Sequence, residues 1–200
     1  MKTLGNPERR QFFKLGLHKA AKTAIKGADI LAKQRAKHWI RPPYALDELE
    51  FLMTCTRCNA CIETCPHEIL FPLPARRGAQ VVNTPAMDLL NKGCRLCDEW
   101  PCVQACEPAA LKLPEDDKSQ EERFTLPCIA IAFINTQTCL PYSGPECGAC
   151  ANSCPVSDAL RWNNTQPYIV QDICTGCALC REACIVEPKA IQIQSLSDEG

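Results

Sequence analysis

The sequence predicts a small α+β fold in which groups of cysteines, rather than a large apolar core, hold short strands and helices together. The 200 residues include 17 cysteines but only 3 Trp, 3 Tyr and 6 Phe, which is thin for an ordinary core of this size. Sixteen of the cysteines fall into four groups of four, and a repeat of this kind sets the architecture. Short apolar alternations between the groups are typical of strands.

The four cysteine groups occupy residues 55–65, 94–106, 139–154 and 174–184. Their members are Cys55, Cys58, Cys61, Cys65, Cys94, Cys97, Cys102, Cys106, Cys139, Cys147, Cys150, Cys154, Cys174, Cys177, Cys180 and Cys184. The first and last groups have the spacing C-x2-C-x2-C-x3-C. The second widens to C-x2-C-x4-C-x3-C, and the third opens with a seven-residue gap. The remaining cysteine, Cys128, is predicted to be a buried thiol on an apolar strand.

The regular elements are predicted to be short. Strands are expected at 81–83, 128–134, 167–172 and 190–194, and a short helical turn just after the third cysteine of each group. The charged run at 115–123 is expected to be a solvated loop.

The cysteine spacing indicates iron–sulfur chemistry. Four thiolates complete a [4Fe–4S] cube, and in C-x2-C-x2-C a compact loop wraps one cluster while the fourth cysteine reaches its neighbour. Zinc sites instead pair two C-x2-C knuckles across a longer loop, and an odd cysteine count in a chain of this length disfavours a disulfide scaffold. We therefore expect four [4Fe–4S] clusters with all sixteen cysteines as iron ligands, in two pseudo-twofold units of the bacterial dicluster-ferredoxin type.

The sequence also excludes several enzyme classes. It contains no G-x-G-x-x-G loop, no P-loop and no catalytic triad or carboxylate pair tied to a site. We predict an electron-transfer subunit with no catalytic residues of its own.

The order of the motifs resembles a known family. RPPYALDELEFLMTCTRCNACIETCP, CRLCDEWPCVQACEPAAL, CLPYSGPECGACANSCPVSDAL and CTGCALCREACIVEPKAIQI are similar to the NapG/MauM group of ferredoxin-type proteins, over residues 41–194. That resemblance implies an electron relay beside a polytopic membrane protein that oxidises quinol, with a reductase or cytochrome as a further redox partner. The related NapF proteins are cytoplasmic carriers with a role in maturing a reductase, which gives the alternative function of delivering electrons or clusters to an oxidoreductase.

A broader resemblance bears on how the ligands pair. Four-cluster subunits of molybdenum oxidoreductases share the widened spacing and pair their groups in a nested order, which implies two interleaved dicluster units in residues 41–200. The implied sets are Cys55, Cys58, Cys61 and Cys184; Cys65, Cys174, Cys177 and Cys180; Cys94, Cys97, Cys102 and Cys154; and Cys106, Cys139, Cys147 and Cys150. Sequential pairing, the first group with the second and the third with the fourth, stays open, and the 19-residue gap between Cys154 and Cys174 would suit it.

Residues 1–40 form a basic arm. Residues 1–41 hold 11 Lys and Arg against 2 acidic residues, a net charge of +9, whereas residues 42–200 carry −10. As a helix, residues 10–38 align an apolar stripe of Phe13, Leu17, Ala20, Ala24, Ala28 and Leu31 beside the basic row Lys14, His18, Lys22 and Lys26. A basic amphipathic helix contacts a membrane surface or a partner, and we favour both over nucleic acid.

The start of the arm resembles a twin-arginine export signal in Arg9, Arg10, Phe12, Phe13 and Lys14. The lysines that follow interrupt the apolar region that such a signal needs, and no A-x-A site follows. We expect the protein in the cytoplasm or at the cytoplasmic face of the membrane, with periplasmic export as the alternative.

The widened second group is expected to shape the surface over one cluster. Its two extra residues bring Trp100 and Pro101 into the loop, which we interpret as a docking patch.

Overall fold

The computed structural model describes residues 26–114 and 126–198, a small mixed fold of short helices and strands in agreement with the predicted α+β class. Helix α1 covers residues 26–36, so the predicted arm helix ends at residue 36. Its part before residue 26, with the twin-arginine segment, lies outside the described residues, as does the predicted loop at 115–123. Within α1, Ala28 and Leu31 of the predicted apolar stripe are exposed.

The N-terminal half, residues 41–114, contains three helices and one small sheet. Its elements are α2 Glu48–Thr54, α3 Ala60–Glu63, β1 Leu70–Pro72, β2 Pro85–Met87 and α4 Pro101–Gln104. Strands β1 and β2 pair antiparallel, with Leu70 opposite Met87. An isolated antiparallel bridge joins Ala45 to Leu111, so the chain before the first cysteine group meets the chain after the second.

The C-terminal half, residues 126–198, repeats that plan. Its elements are β3 Ile131–Ile134, α5 Leu140–Ser143, β4 Leu160–Asn163, β5 Gln166–Ile169, α6 Leu179–Ala183 and β6 Ile191–Gln194. Strands β4 and β5 form an antiparallel hairpin between the third and fourth cysteine groups. Strand β3, before the third group, pairs antiparallel with β6, after the fourth.

The predicted elements are confirmed in part. Strands lie within or next to the predicted stretches 128–134, 167–172 and 190–194, but 81–83 is a turn and the strand begins at Pro85. Val81 is 3% exposed and packs with Leu73 and Ala86. This residue is therefore apolar because it is buried in a turn, not because it belongs to a strand. Helices α3, α4 and α6 contain the third cysteine of their groups, whereas the third group has only a turn there.

One apolar cluster continues through both halves. Ile129, Ala130 and Leu179 of the C-terminal half belong to the same buried cluster as Phe51 and Leu89 of the N-terminal half. The halves therefore share a core in which several cysteines also take part.

Arg41 fixes the segment that joins α1 to the body. Its guanidinium makes two hydrogen bonds to the Glu48 carboxylate, at 2.6 and 2.9 Å, and donates to the Thr84 hydroxyl and the Pro85 carbonyl at 2.9 and 2.8 Å. The side chains of Arg41 and Glu48 are only 11% and 5% exposed, and the guanidinium also lies over the Phe51 ring. The segment that joins α1 to the body is thus anchored by a largely buried ion pair.

Among the described residues, every helix is too short or too polar to span a bilayer.

Glu48→Gln should destabilise the protein by about 3 kcal/mol, because it leaves the Arg41 charge buried without its partner. The measurement is the midpoint of urea unfolding of the anaerobically prepared protein. Glu68→Gln is the matched control, because the Lys92–Glu68 pair is exposed and 3.8 Å long, and its loss should cost less than ~1 kcal/mol. Equal shifts for the two variants would contradict the anchor role.

Candidate iron–sulfur cluster sites

The structure gathers the sixteen cysteines around four cavities, with four cysteines lining each. Cavity 1 is lined by Cys55, Cys58, Cys61 and Cys106, and cavity 2 by Cys65, Cys94, Cys97 and Cys102. Cavity 3 is lined by Cys154, Cys174, Cys177 and Cys180, and cavity 4 by Cys139, Cys147, Cys150 and Cys184. The four cavities are of similar size. Each cavity takes three cysteines from one group and the fourth from the adjacent group.

The nested sets are not brought together. Cys184 lies with the third group rather than with Cys55, and Cys106 lies with the first group rather than with Cys139. The physical reason is the hairpin inside each half, because β1–β2 returns the chain between groups one and two and β4–β5 does so between groups three and four. Consecutive groups therefore face each other, which is the sequential arrangement.

Three of the cysteine loops share the same pattern of positive φ angles. The residue before the second cysteine has positive φ in Arg57, Leu96 and Gly176, and so does the residue that caps each following helix, in Asn59, Trp100 and Ala178. The third cysteine comes two residues after each cap, in the first turn of the helix. Alternation of backbone handedness turns successive N–H groups into one concavity, a geometry known from anion and iron–sulfur sites.

The widened second group keeps the same pattern of positive φ angles. Its two extra residues enter before Trp100, which still caps α4 in the left-handed conformation with Pro101 at the first helical position. Trp100 is only 4% exposed, lines cavity 2 and packs edge-on against Tyr44, with ring centroids 5.0 Å apart. The prediction that Trp100 forms a surface docking patch is therefore wrong, because the ring is a cavity wall.

Gly176 cannot be replaced without moving the backbone. Its φ is +69°, and a Cβ built on it would collide with the carbonyl group of Ala130. Ile129 donates a backbone hydrogen bond of 2.8 Å to Thr175, which holds the loop against this segment. The glycine thus lets the chain that precedes β3 close over cavity 3.

Burial and neighbouring sulfurs disfavour ionisation of several of these thiols. Burial, with a smaller effect of the other three thiols of cavity 1, raises the pKa of Cys61 to about 11. Burial likewise raises the pKa of Cys102 and of Cys180 to about 12, again with neighbouring cysteines adding to the rise. A group of cations between the sulfurs would reverse this balance, because a thiol that coordinates a metal is deprotonated.

Backbone amides point at several of the sulfurs. The N–H of Gly176 donates to Cys174 Sγ at 3.4 Å, and the N–H of Leu111 donates to Cys106 Sγ at 3.3 Å. Such hydrogen bonds stabilise a thiolate and tune the potential of a bound cluster. The donor set, four thiols with amides directed at them, fits a [4Fe–4S] cluster in each cavity.

Within residues 26–114 and 126–198, no three His, Cys, Asp or Glu side chains are placed to hold a single metal ion.

Consecutive cavities are neighbours. Cys61 of cavity 1 contributes to the raised pKa of Cys102 in cavity 2, although burial is the main cause. Cys177 of cavity 3 has the same secondary effect on the pKa of Cys94 in cavity 2, and Cys150 of cavity 4 has it on Cys180 in cavity 3. Cavity 2 is therefore next to cavities 1 and 3, and cavity 3 is next to cavity 4.

The seventeenth cysteine lines none of these four cavities. Cys128 is exposed and precedes β3, so the prediction that it is a buried thiol within a strand is wrong. His38 and His67 are exposed, while Trp39 is buried and Trp162 half-buried.

Comparison with known proteins identifies relatives along most of the chain. The chain is 32% identical to the ferredoxin-type protein NapG of Haemophilus influenzae over 206 residues, covering 94% of this chain and 72% of that protein. It is 31% identical to the methylamine utilization ferredoxin-type protein MauM of Methylobacillus flagellatus, covering 96% and 85%. It is 34% identical to the ferredoxin-type protein NapF of Escherichia coli K12 over 157 residues, covering 76% and 84%.

No family model matches the sequence. No solved structure matches it either. The relatives nevertheless extend across both cysteine-rich halves at about one third identity. The chain belongs to the NapG, MauM and NapF family of ferredoxin-type proteins, and it is an iron–sulfur electron-transfer protein.

Proposed function

We propose that the protein relays electrons through four [4Fe–4S] clusters, one in each cavity. The observation that carries this proposal is the convergence of four cysteines, three from one group and one from the next, on each of four cavities of similar volume. When bound, the clusters supply one-electron redox chemistry. The sixteen cysteines act as iron ligands, and the directed amides and the buried walls tune each potential.

The adjacency of consecutive cavities supports a relay with two ends. Cavity 1 is the more accessible terminus, because Cys58 is exposed and Met53, on the preceding helix, is 81% exposed. At the other terminus Ile185 lines cavity 4 and is 73% exposed. Exposed apolar residues beside redox centres suit the small interfaces of transient electron-transfer complexes. Electrons enter at one end and leave at the other.

We propose two consecutive dicluster units rather than interleaved ones, and the chain path within each half supports this. Each half has two cysteine groups separated by a hairpin and closed by pairing of the flanking segments. We assign residues 41–114 and 126–198 as two pseudo-twofold units within the four-cluster domain, preceded by the arm of residues 1–40.

We assign the protein to a membrane-associated, quinol- or donor-linked redox complex at the cytoplasmic face. Support comes from the two redox termini and from α1, on which Ile30 and Leu31 are each 57% exposed beside lysines. An exposed apolar and basic helix fits an anionic surface or a membrane partner. A polytopic quinol-oxidising protein is the proposed donor, and a reductase or cytochrome the proposed acceptor.

The sequential ligand sets can be tested by paired alanine substitutions. Cys55→Ala with Cys106→Ala removes two ligands of cavity 1 only, so about 12 irons per chain should remain. Cys55→Ala with Cys184→Ala damages cavities 1 and 4, so about 8 should remain. The measurement is iron per chain after anaerobic purification. The two double variants carry the same number of substitutions, so each is the control for the other. If Cys55→Ala with Cys184→Ala kept more iron than Cys55→Ala with Cys106→Ala, the nested pairing would be supported instead.

The relay function is tested by reduction of the holoprotein with a quinol. Membrane vesicles from the native host and a quinol should bleach the iron–sulfur absorption, whereas the quinol alone should not. Dithionite gives the full extent of bleaching as a control. Absence of bleaching with vesicles, together with stable binding of an immature reductase in a cytoplasmic pull-down, would contradict the relay and favour the maturation role.

A further inference from the structure

The two halves meet where a ligand cysteine of one contacts a ligand cysteine of the other. The backbone N–H of Cys94, which lines cavity 2, donates a 2.7 Å hydrogen bond to the carbonyl of Cys177, which lines cavity 3. Both residues are 6% exposed, so water is kept from this contact. A continuous route of covalent bonds and one hydrogen bond thus joins the Sγ atoms of Cys94 and Cys177.

The contact depends on a residue without a side chain. An ideal Cβ on Gly93 would lie 2.7 Å from the backbone N and 2.8 Å from the Cα of Leu179. These are backbone atoms at the start of α6, so they cannot turn aside as a flexible side chain would. Any larger residue at position 93 must push the halves apart beside the hydrogen bond between the Cys94 N–H and the Cys177 carbonyl.

Two charged side chains of α6 hold the same junction from the other half. The Glu182 carboxylate accepts the N–H of Gly93 at 2.7 Å and pairs with Arg95 at 2.8 Å. Arg181 Nε donates to the carbonyl of Leu90 at 3.0 Å. The segment from Leu90 to Arg95 is therefore bonded to α6 on both sides of the cysteine contact.

We propose that the Cys94–Cys177 hydrogen bond is the link by which electrons cross between the two halves, and that Gly93 and Glu182 are its positioning residues. This inference rests on the proposed function, because it requires iron–sulfur groups in cavities 2 and 3. The crossing oxidises one of these groups by one electron and reduces the other by one, and no bond or proton is exchanged. This role would explain why the cysteine loop at cavity 2 is hydrogen-bonded to the cysteine loop at cavity 3.

Gly93→Ala tests the link directly. We expect unchanged iron content, amide hydrogen exchange at Cys94 about tenfold faster, and a changed EPR spectrum in the fully reduced protein. The wild-type spectrum should contain a magnetic interaction between the halves, and the variant spectrum should become the sum of two separate cluster pairs. Gly27→Ala is the control, because a Cβ there meets nothing within 4 Å. Faster exchange at Cys94 with an unaltered EPR spectrum would overturn the proposal.

A second pair of variants covers the case in which Gly93→Ala does not assemble. Glu182→Gln keeps an oxygen that accepts the Gly93 N–H, so it should retain the interaction between the halves, whereas Glu182→Ala should lose it. A purely structural role would change unfolding without this difference in the EPR spectrum. Identical spectra for the two variants would count against the positioning role. A wild-type protein without iron would instead contradict the proposed function itself.

Discussion

The convergence of four thiols on each of four cavities is the constraint on which the rest of the structure depends. The chain has few large apolar residues, and its strands have only three or four residues each. Burial raises the pKa of several of these thiols to about 11 or 12, so they stay protonated on their own, whereas as iron ligands they would tie together segments that are far apart in sequence. Because metal binding supplies folding free energy in small metallo-domains, closure of each half should depend on its filled cavities.

The sequence was sufficient to group the cysteines but not to pair the groups. Cysteine spacing is local, so the four groups, the family and the electron-transfer role could all be inferred from the residues. Pairing depends on where the chain turns back, and the responsible strands are short. Pro85–Met87 lies beside the more strand-like 81–83, and Leu160–Asn163 alternates apolar and polar residues over only four positions. The 19-residue gap between the third and fourth groups was the available signal for a hairpin, and it favours consecutive groups.

Trp100 shows why a loop insertion is hard to interpret from sequence. An aromatic residue in a widened loop suggests an exposed patch, but here the insertion precedes a helix cap whose left-handed backbone must be preserved. The ring therefore turns inward and packs on Tyr44. The junction between the halves is equally hard to predict from sequence, because the role of Gly93 depends on its close contact with Leu179 of the other half. Such long-range contacts join the two halves, each with two cysteine-lined cavities, around one shared core.

The central claim is that each cavity holds one [4Fe–4S] cluster. Iron and acid-labile sulfide analysis of anaerobically purified protein, combined with Mössbauer spectroscopy, tests it most directly. The account predicts about 16 irons and about 16 sulfides per chain, with Mössbauer parameters of cubane clusters and no other iron species. About 8 irons per chain, or zinc in place of iron, would contradict it.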